Sequence, residues 1–207
     1  MLKSNKLQAI FRNCFTFLLL CYGHQLMFAQ KISIQPKTQF RDIQNHIYQL
    51  NSHSLSVFVF LDTECPISQQ YTSKLMALSK GFVLAKDTLK HSKPIDIQFY
   101  TVFPTKGISK QEIEEFNKKY NFNFPAIIDK LHYLTTLFDI HITPEVIVLD
   151  AKGNVHYQGA IDNWFYALGK HRDDATELYL KNAISALLTH NVINPPKTEA
   201  IGCYIER

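Results

Sequence analysis

A chain of 207 residues, 46% of them hydrophobic, with 22 basic and 18 acidic side chains, is long enough for one globular domain with a full core. Its charges are scattered, with no basic stripe interleaved with aromatics, which excludes a nucleic-acid groove. Lys3, Lys6 and Arg12 account for part of the excess, and the residues after position 29 hold 19 basic against 18 acidic groups, so no acidic-lipid partner follows either.

The first element in chain order is a leader. A basic start without acidic residues precedes the apolar run Cys14 to Cys21, and the small Ala29 stands before Gln30. That order reads as a secretory signal peptide over 1–29, implying export to the periplasm or beyond. Left uncleaved, the segment would be a membrane anchor, although Gly23, His24 and Gln25 interrupt it. Residues 30–54 form a polar lead-in, with one short helix expected from Phe40 to Leu50.

Ser56 to Leu61 is a continuous β-branched and aromatic run, the pattern of a strand buried on both faces. Asp62 to Pro66 ends it. Ile67, Tyr71, Leu75 and Leu78 then repeat at helical spacing, with Pro66 in the first turn, where its missing N–H costs nothing. A second strand is predicted over 95–103. Ser109 and Glu112 have capping-box spacing at the start of a helix reaching about Tyr120. An extended segment at 124–128 and a short helix over 130–138 follow. Glu145 to Leu149 is another apolar strand, Asp150 to Asn154 has turn chemistry, and 155–160 returns as a hairpin. A last helix is expected over 176–188, and the extended tail 191–207 carries Asn194-Pro195-Pro196 and Gly202-Cys203. Strands alternating with helices give an α/β fold with a mixed sheet, in one domain over 55–190.

Two of the four cysteines, Cys14 and Cys21, lie in the leader, which leaves Cys65 and Cys203. An exported chain can join such a pair in a disulfide. Cys65 stands between a buried strand and a helix start, where peptide dipoles and free N–H groups favour an anion. The thiolate is the form that attacks disulfides and peroxides. Thr63 and Ser68 are near enough in sequence to hydrogen-bond the sulfur. The plainer reading is a small buried cysteine, a common occurrence. A cis bond at Pro144 would kink the chain before the 145–149 strand and bring the preceding backbone to the sulfur; a trans proline at a strand start is the alternative.

Together, the apolar strand, Asp62-Thr63-Glu64-Cys65-Pro66, the helix, Thr143-Pro144 before a hairpin, and Leu149-Asp-Ala-Lys-Gly153 in its turn resemble the thioredoxin-like superfamily. Within it, the chain resembles the redoxin and alkyl-hydroperoxide-reductase/thiol-specific-antioxidant branch. The resemblance implies a central mixed sheet flanked by helices and a thiol oxidoreductase with Cys65 as nucleophile and Pro144 shaping the site. It also implies protein thiols or disulfides, or a small peroxide, as partners, and no cofactor or metal. Two departures qualify it. Ser68 fills the slot where a Cys-x-x-Cys pair would place its second sulfur. Asp62 stands where peroxide-reducing relatives carry threonine, and Thr63 comes one residue late.

Cys203 is then the remaining candidate to resolve an oxidised Cys65, on a tail expected to be mobile. A permanent structural bridge and an unpaired Cys203 are the other two readings. Sco-type copper chaperones share this fold with a Cys-x-x-x-Cys pair and a distant His, but Gln69 takes the second slot here. Cys65, His141 and Cys203 could still suit Cu(I), so a non-catalytic binding or copper-handling module is the alternative function. The aromatic and charged loop from Asp162 to Arg172 either lines a groove beside Cys65 or simply covers the core edge.

Overall fold

The computed structural model describes residues 33–50, 54–88 and 96–206. The leader expected over 1–29 lies outside them. The central sheet has five strands: β3 (Ser54–Phe60), β4 (Asp96–Phe103), β5 (Ala126–Ile128), β7 (Glu145–Leu149) and β8 (Val155–Gly159). Their spatial order is β5-β4-β3-β7-β8, with β3, β4 and β5 parallel and β7 and β8 each antiparallel to the preceding neighbour. This is the mixed sheet of a thioredoxin-like fold.

The central position of β3 explains its unbroken apolar sequence. Val57, Val59 and the following Leu61 face one core; Phe58 and Phe60 face the other, and all five are completely buried. Burying each such side chain contributes about 1.5–3 kcal/mol, so neither face tolerates a polar alternation. The first core receives α1 (Pro66–Thr88) through Ile67, Tyr71 and Leu75, α2 (Lys110–Tyr120) through Ile113 and Phe116, and α4 (Tyr179–Leu188) through Leu180, Ala183 and Ile184. The second takes Leu134 of α3 (Tyr133–Leu137), with Phe138 and Ile140 beyond it.

The predicted capping box is present: Glu112 N donates to Ser109 Oγ at 3.2 Å, and Ser109 N to Glu112 Oε2 at 2.7 Å. The helix expected from Phe40 to Leu50 is absent. That stretch is a hairpin, β1 (Gln39–Arg41) paired antiparallel with β2 (Ile47–Gln49). Asp42 makes the turn, its Oδ1 accepting from Gln44 N at 2.9 Å and His46 N at 2.8 Å, and Asn45 takes φ 71°. Phe40 and Tyr48 then face the sheet, with ring centroids 5.1 Å from Phe58 and 5.4 Å from Tyr100. Local side-chain hydrogen bonds and aromatic packing override the weak helical pattern.

The tail differs from expectation more consequentially. It is extended, but it is docked along its length. Gln158 N donates to Pro196 O at 3.1 Å and Thr198 N to Gln158 O at 3.0 Å, so the tail runs beside β8. Thr198 Oγ1 lies 2.6 Å from the Tyr157 hydroxyl and accepts from Ala160 N at 3.0 Å. Gly159, at φ 137°, is needed here because a Cβ would overlap the Thr198 carbonyl. The tail ends in β11 (Cys203–Tyr204), antiparallel to β6 (Ile142–Thr143). A mobile tail is thus replaced by an ordered one, because these hydrogen bonds satisfy its backbone.

Candidate active site

Cys65 is positioned by the turn that ends β3. Cys65 N donates to Asp62 O at 3.3 Å, and Glu64 N to Asp62 Oδ1 at 2.8 Å. Gln69 N donates to Cys65 O at 3.0 Å, which makes Cys65 the N-cap residue and Pro66 the first helical residue of α1. The Gln69 side chain, in the slot of a second copper-site cysteine, instead donates to Thr63 O at 2.7 Å.

The Thr143–Pro144 peptide bond is cis, and the Thr143 carbonyl oxygen accepts a hydrogen bond from the Cys65 thiol at 3.3 Å. The acceptor comes from backbone 78 residues further along the chain. Ser68 is fully buried, and its hydroxyl accepts from Asp62 N at 3.3 Å; it braces the turn before Cys65. Thr63 is buried and contributes its carbonyl to Gln69.

Cys203 lies opposite Thr143 in the β6–β11 register, and the Thr143 carbonyl accepts from the Cys65 thiol, so the strand pairing brings the two cysteines to the same residue. Both thiols are free. Cys65 is 2% exposed, whereas Cys203 is half-buried and the adjoining Tyr204 is 77% exposed. Burial, then the hydrogen bond and charge of Cys65, then the nearby Asp62 carboxylate, push the Cys203 thiol up to about 12. A negative charge on Cys65 therefore disfavours one on Cys203.

Gly202 makes this approach possible. A Cβ there would overlap the carbonyl oxygen and carbon of Thr143, the group that accepts from Cys65. In the sequence Gly202 is only the residue before Cys203 on the tail, and its spacing from Thr143 carries no signal of the contact.

The Asp162 loop packs on α1, the helix that Cys65 begins. The Tyr71 hydroxyl donates to Asp162 Oδ1 at 2.5 Å, and Trp164 N to the same oxygen at 2.9 Å. Lys74 Nζ sits 3.9 Å from Asp162 Oδ2 and 3.9 Å from the Trp164 ring centroid. Burial and then the Asp162 carboxylate hold the Tyr71 phenol far above its ordinary range. The strand pair β9 (Phe165–Ala167) and β10 (Lys170–His171) completes this loop, with Phe165 in the core.

His141 does not join the sulfurs in a metal site. Its ring is exposed and pairs with Asp139 Oδ1 at 2.8 Å, and among the described residues no group of three His, Cys, Asp or Glu could hold a metal ion. The copper-handling alternative loses its third ligand. No helix among the described residues is long and apolar enough to cross a membrane.

No family model matches the chain, and no curated protein matches its sequence. Solved structures do resemble it. A hypothetical protein from Sinorhizobium meliloti 1021 superposes with a TM-score of 0.68 at 15% identity, over 86% of this chain and 94% of that one. An uncharacterized conserved protein from Geobacillus kaustophilus gives 0.67 at 16% identity, over 85% and 92%. DsbF of MTB, solved in mixed oxidized and reduced forms, gives 0.51 at 16% identity, over 74% and 96%. At such identities the likeness is one of fold.

Proposed function

We propose that this thioredoxin-fold chain is a thiol–disulfide oxidoreductase in which Cys65 and Cys203 are the redox pair and protein thiols are the partners. The observation that carries the reading is the C-terminal strand docked on the segment before Pro144, which sets Cys203 opposite Thr143, the residue whose carbonyl accepts from the Cys65 thiol. It answers the question left by Ser68, since a second sulfur is present beside Cys65 from another part of the chain. The oxidised and reduced forms found for DsbF, a neighbour in fold, agree with reversible chemistry on this scaffold. The leader over 1–29 supports export to a compartment where a disulfide persists.

Disulfide exchange is favoured over peroxide reduction by the surroundings of Cys65. Its thiol donates to a carbonyl, and the Ser68 hydroxyl is engaged with the Asp62 turn, leaving it poorly placed to polarise a peroxide. The test is equilibration of the mature protein in glutathione redox buffers, followed by acid quench and alkylation. A Cys65–Cys203 bond that forms and reopens across the series is the expected result, together with oxidation of a small dithiol that disappears in Cys65→Ser. Two free thiols under oxidising buffer, or a bond that excess thiol never opens, would overturn it.

A further inference from the structure

Resting on that redox pair, we infer that Cys203, and not Cys65, is the sulfur that exchanges covalently with the partner, while Cys65 is the buried sulfur that leaves and returns. This reverses the order expected from the sequence, in which Cys65 attacks and Cys203 resolves.

Geometry is the reason. Thiol–disulfide exchange is an in-line displacement: the incoming sulfur approaches along the axis of the bond that breaks, from the side opposite the leaving sulfur. In a Cys65–Cys203 disulfide, attack on Cys65 would have to come from behind Cys65. Cys65 is 2% exposed and belongs to the core cluster with Leu61, Ile67 and Tyr71, so an incoming thiolate has almost no open surface from which to reach it. Attack on Cys203 meets a half-buried side chain on β11, beside Tyr204, which stands in solvent.

The backbone around the site points the same way. The edge of β6 next to Pro144 is taken by the chain's own β11, and Ile205 N continues the contact by donating to His141 O at 2.9 Å. An extended partner therefore meets β11 before it meets β6. The nearest side chains it encounters are Cys203 and the exposed Tyr204 ring.

The step balances as a two-electron exchange. A partner thiolate attacks Cys203 Sγ; the partner–Cys203 bond forms, the Cys65–Cys203 bond breaks, and the electron pair goes to Cys65 as a thiolate at the start of α1. The partner's second thiol, losing its proton to solvent, then attacks the partner's own bonded sulfur. Cys203 is released as a thiolate, and it and Cys65 take up the two protons that the partner's thiols gave to solvent. The partner dithiol has become a disulfide and the chain a dithiol. In reverse, Cys203 loses its proton to solvent and attacks the partner's disulfide, expelling one partner sulfur as a thiolate; Cys65, deprotonated in turn, attacks Cys203 Sγ, closing the internal bond and releasing the partner's other sulfur as a thiolate.

The experiment uses the oxidised mature protein and reduced glutathione as the probe, with rapid acid quench and peptide mass spectrometry to locate the adduct. Glutathione should be found on the Cys203 peptide in roughly tenfold or greater excess over the Cys65 peptide at the earliest times. The Cys65→Ser protein, activated at Cys203 as an aryl mixed disulfide, should take up glutathione and release the aryl thiolate at a rate close to that of an unstructured peptide, while Cys203→Ser activated at Cys65 should be much slower. An adduct mainly on Cys65, or equal rates in the two variants, overturns the assignment while leaving the redox pair intact. If oxidation gives no Cys65–Cys203 bond at all, the redox pair and the assignment fall together.

Discussion

Replacing Gly202 by alanine would place a Cβ on the Thr143 carbonyl oxygen and carbon and against Ile142 Cγ2. Two of these atoms are backbone of β6, one of them the acceptor of the Cys65 hydrogen bond, and they cannot rotate away. The part that can yield is β11. Lifting it gives up the pairing of Cys203 with Thr143 and of Tyr204 with Ile142, and the bond from Ile205 N to His141 O. Two or three backbone hydrogen bonds, each worth about 1 kcal/mol net, amount to about 2–3 kcal/mol of docking free energy. A loss of that size corresponds to a roughly 30- to 150-fold fall in the effective concentration of Cys203 at Cys65. Glutathione redox buffers measure this quantity directly, as the ratio at which the internal bond is half formed. Gly202→Ala should shift that ratio by the stated factor, and Cys65 in the reduced protein should become more open to alkylation. A Gly202→Ala protein with the wild-type ratio and wild-type Cys65 labelling would show that the two sulfurs do not depend on strand docking, and the reasoning would fail.

Ser68→Ala should lower the urea unfolding free energy by about 1–3 kcal/mol, because the Asp62 N–H loses a buried acceptor, yet leave the Cys65–Cys203 redox equilibrium unchanged. A large change in that equilibrium instead would mean that the hydroxyl acts on the sulfur, as the sequence suggested. Tyr71→Phe should cost about 1.5–3 kcal/mol in the same measurement, since the buried Asp162 carboxylate keeps Trp164 N and Lys74 but loses its hydroxyl donor; unchanged stability would contradict this. Glu145 is held above its ordinary 4.5 chiefly by burial, against the opposing hydrogen bond from Gln158 and the charges of Lys197 and His141. Because its folded value is the higher one, the wild type should lose stability as pH rises from below 4.5 through that raised value, then level off. Unfolding midpoints of Glu145→Gln should lack this slope, and a retained slope would assign the effect to another group.

The parts of the fold that are legible in the sequence are those governed by neighbours along the chain. The run from Ser56 to Leu61 declares a two-sided strand because each face of β3 is buried, and Ser109 with Glu112 announces a helix start through reciprocal bonds three residues apart. Cys65 at the start of α1 follows from the same local logic. The hairpin at β1 and β2 escapes it, because Phe40 and Tyr48 are fixed by Phe58 and Tyr100 rather than by their own periodicity. The site escapes it further. Thr143 O, Gly202 and Thr198 act through close approaches of backbone to backbone, which leave no residue pattern beyond two glycines.

That distance along the chain changes what the proposed redox pair can do. A second sulfur three residues away in the same helix turn stays within reach whatever happens elsewhere in the molecule. Here Cys203 is near Cys65 only while β11 is docked, so the tendency to form the bond and the tendency of the tail to dock are the same coupling viewed from two ends. Oxidation must tighten the tail by the same factor by which docking favours oxidation. The bond also closes a loop on the order of 100 residues or more, a constraint worth about 4–5 kcal/mol against the unfolded chain in the entropic account. Reduction removes that constraint while leaving the docking bonds to Gln158, Ala160 and His141 in place. The reduced tail is therefore held by bonds of about 1 kcal/mol each. Tail docking and redox state should consequently shift together, with hydrogen exchange at Ile205 N and Thr198 N faster in the reduced protein than in the oxidised one.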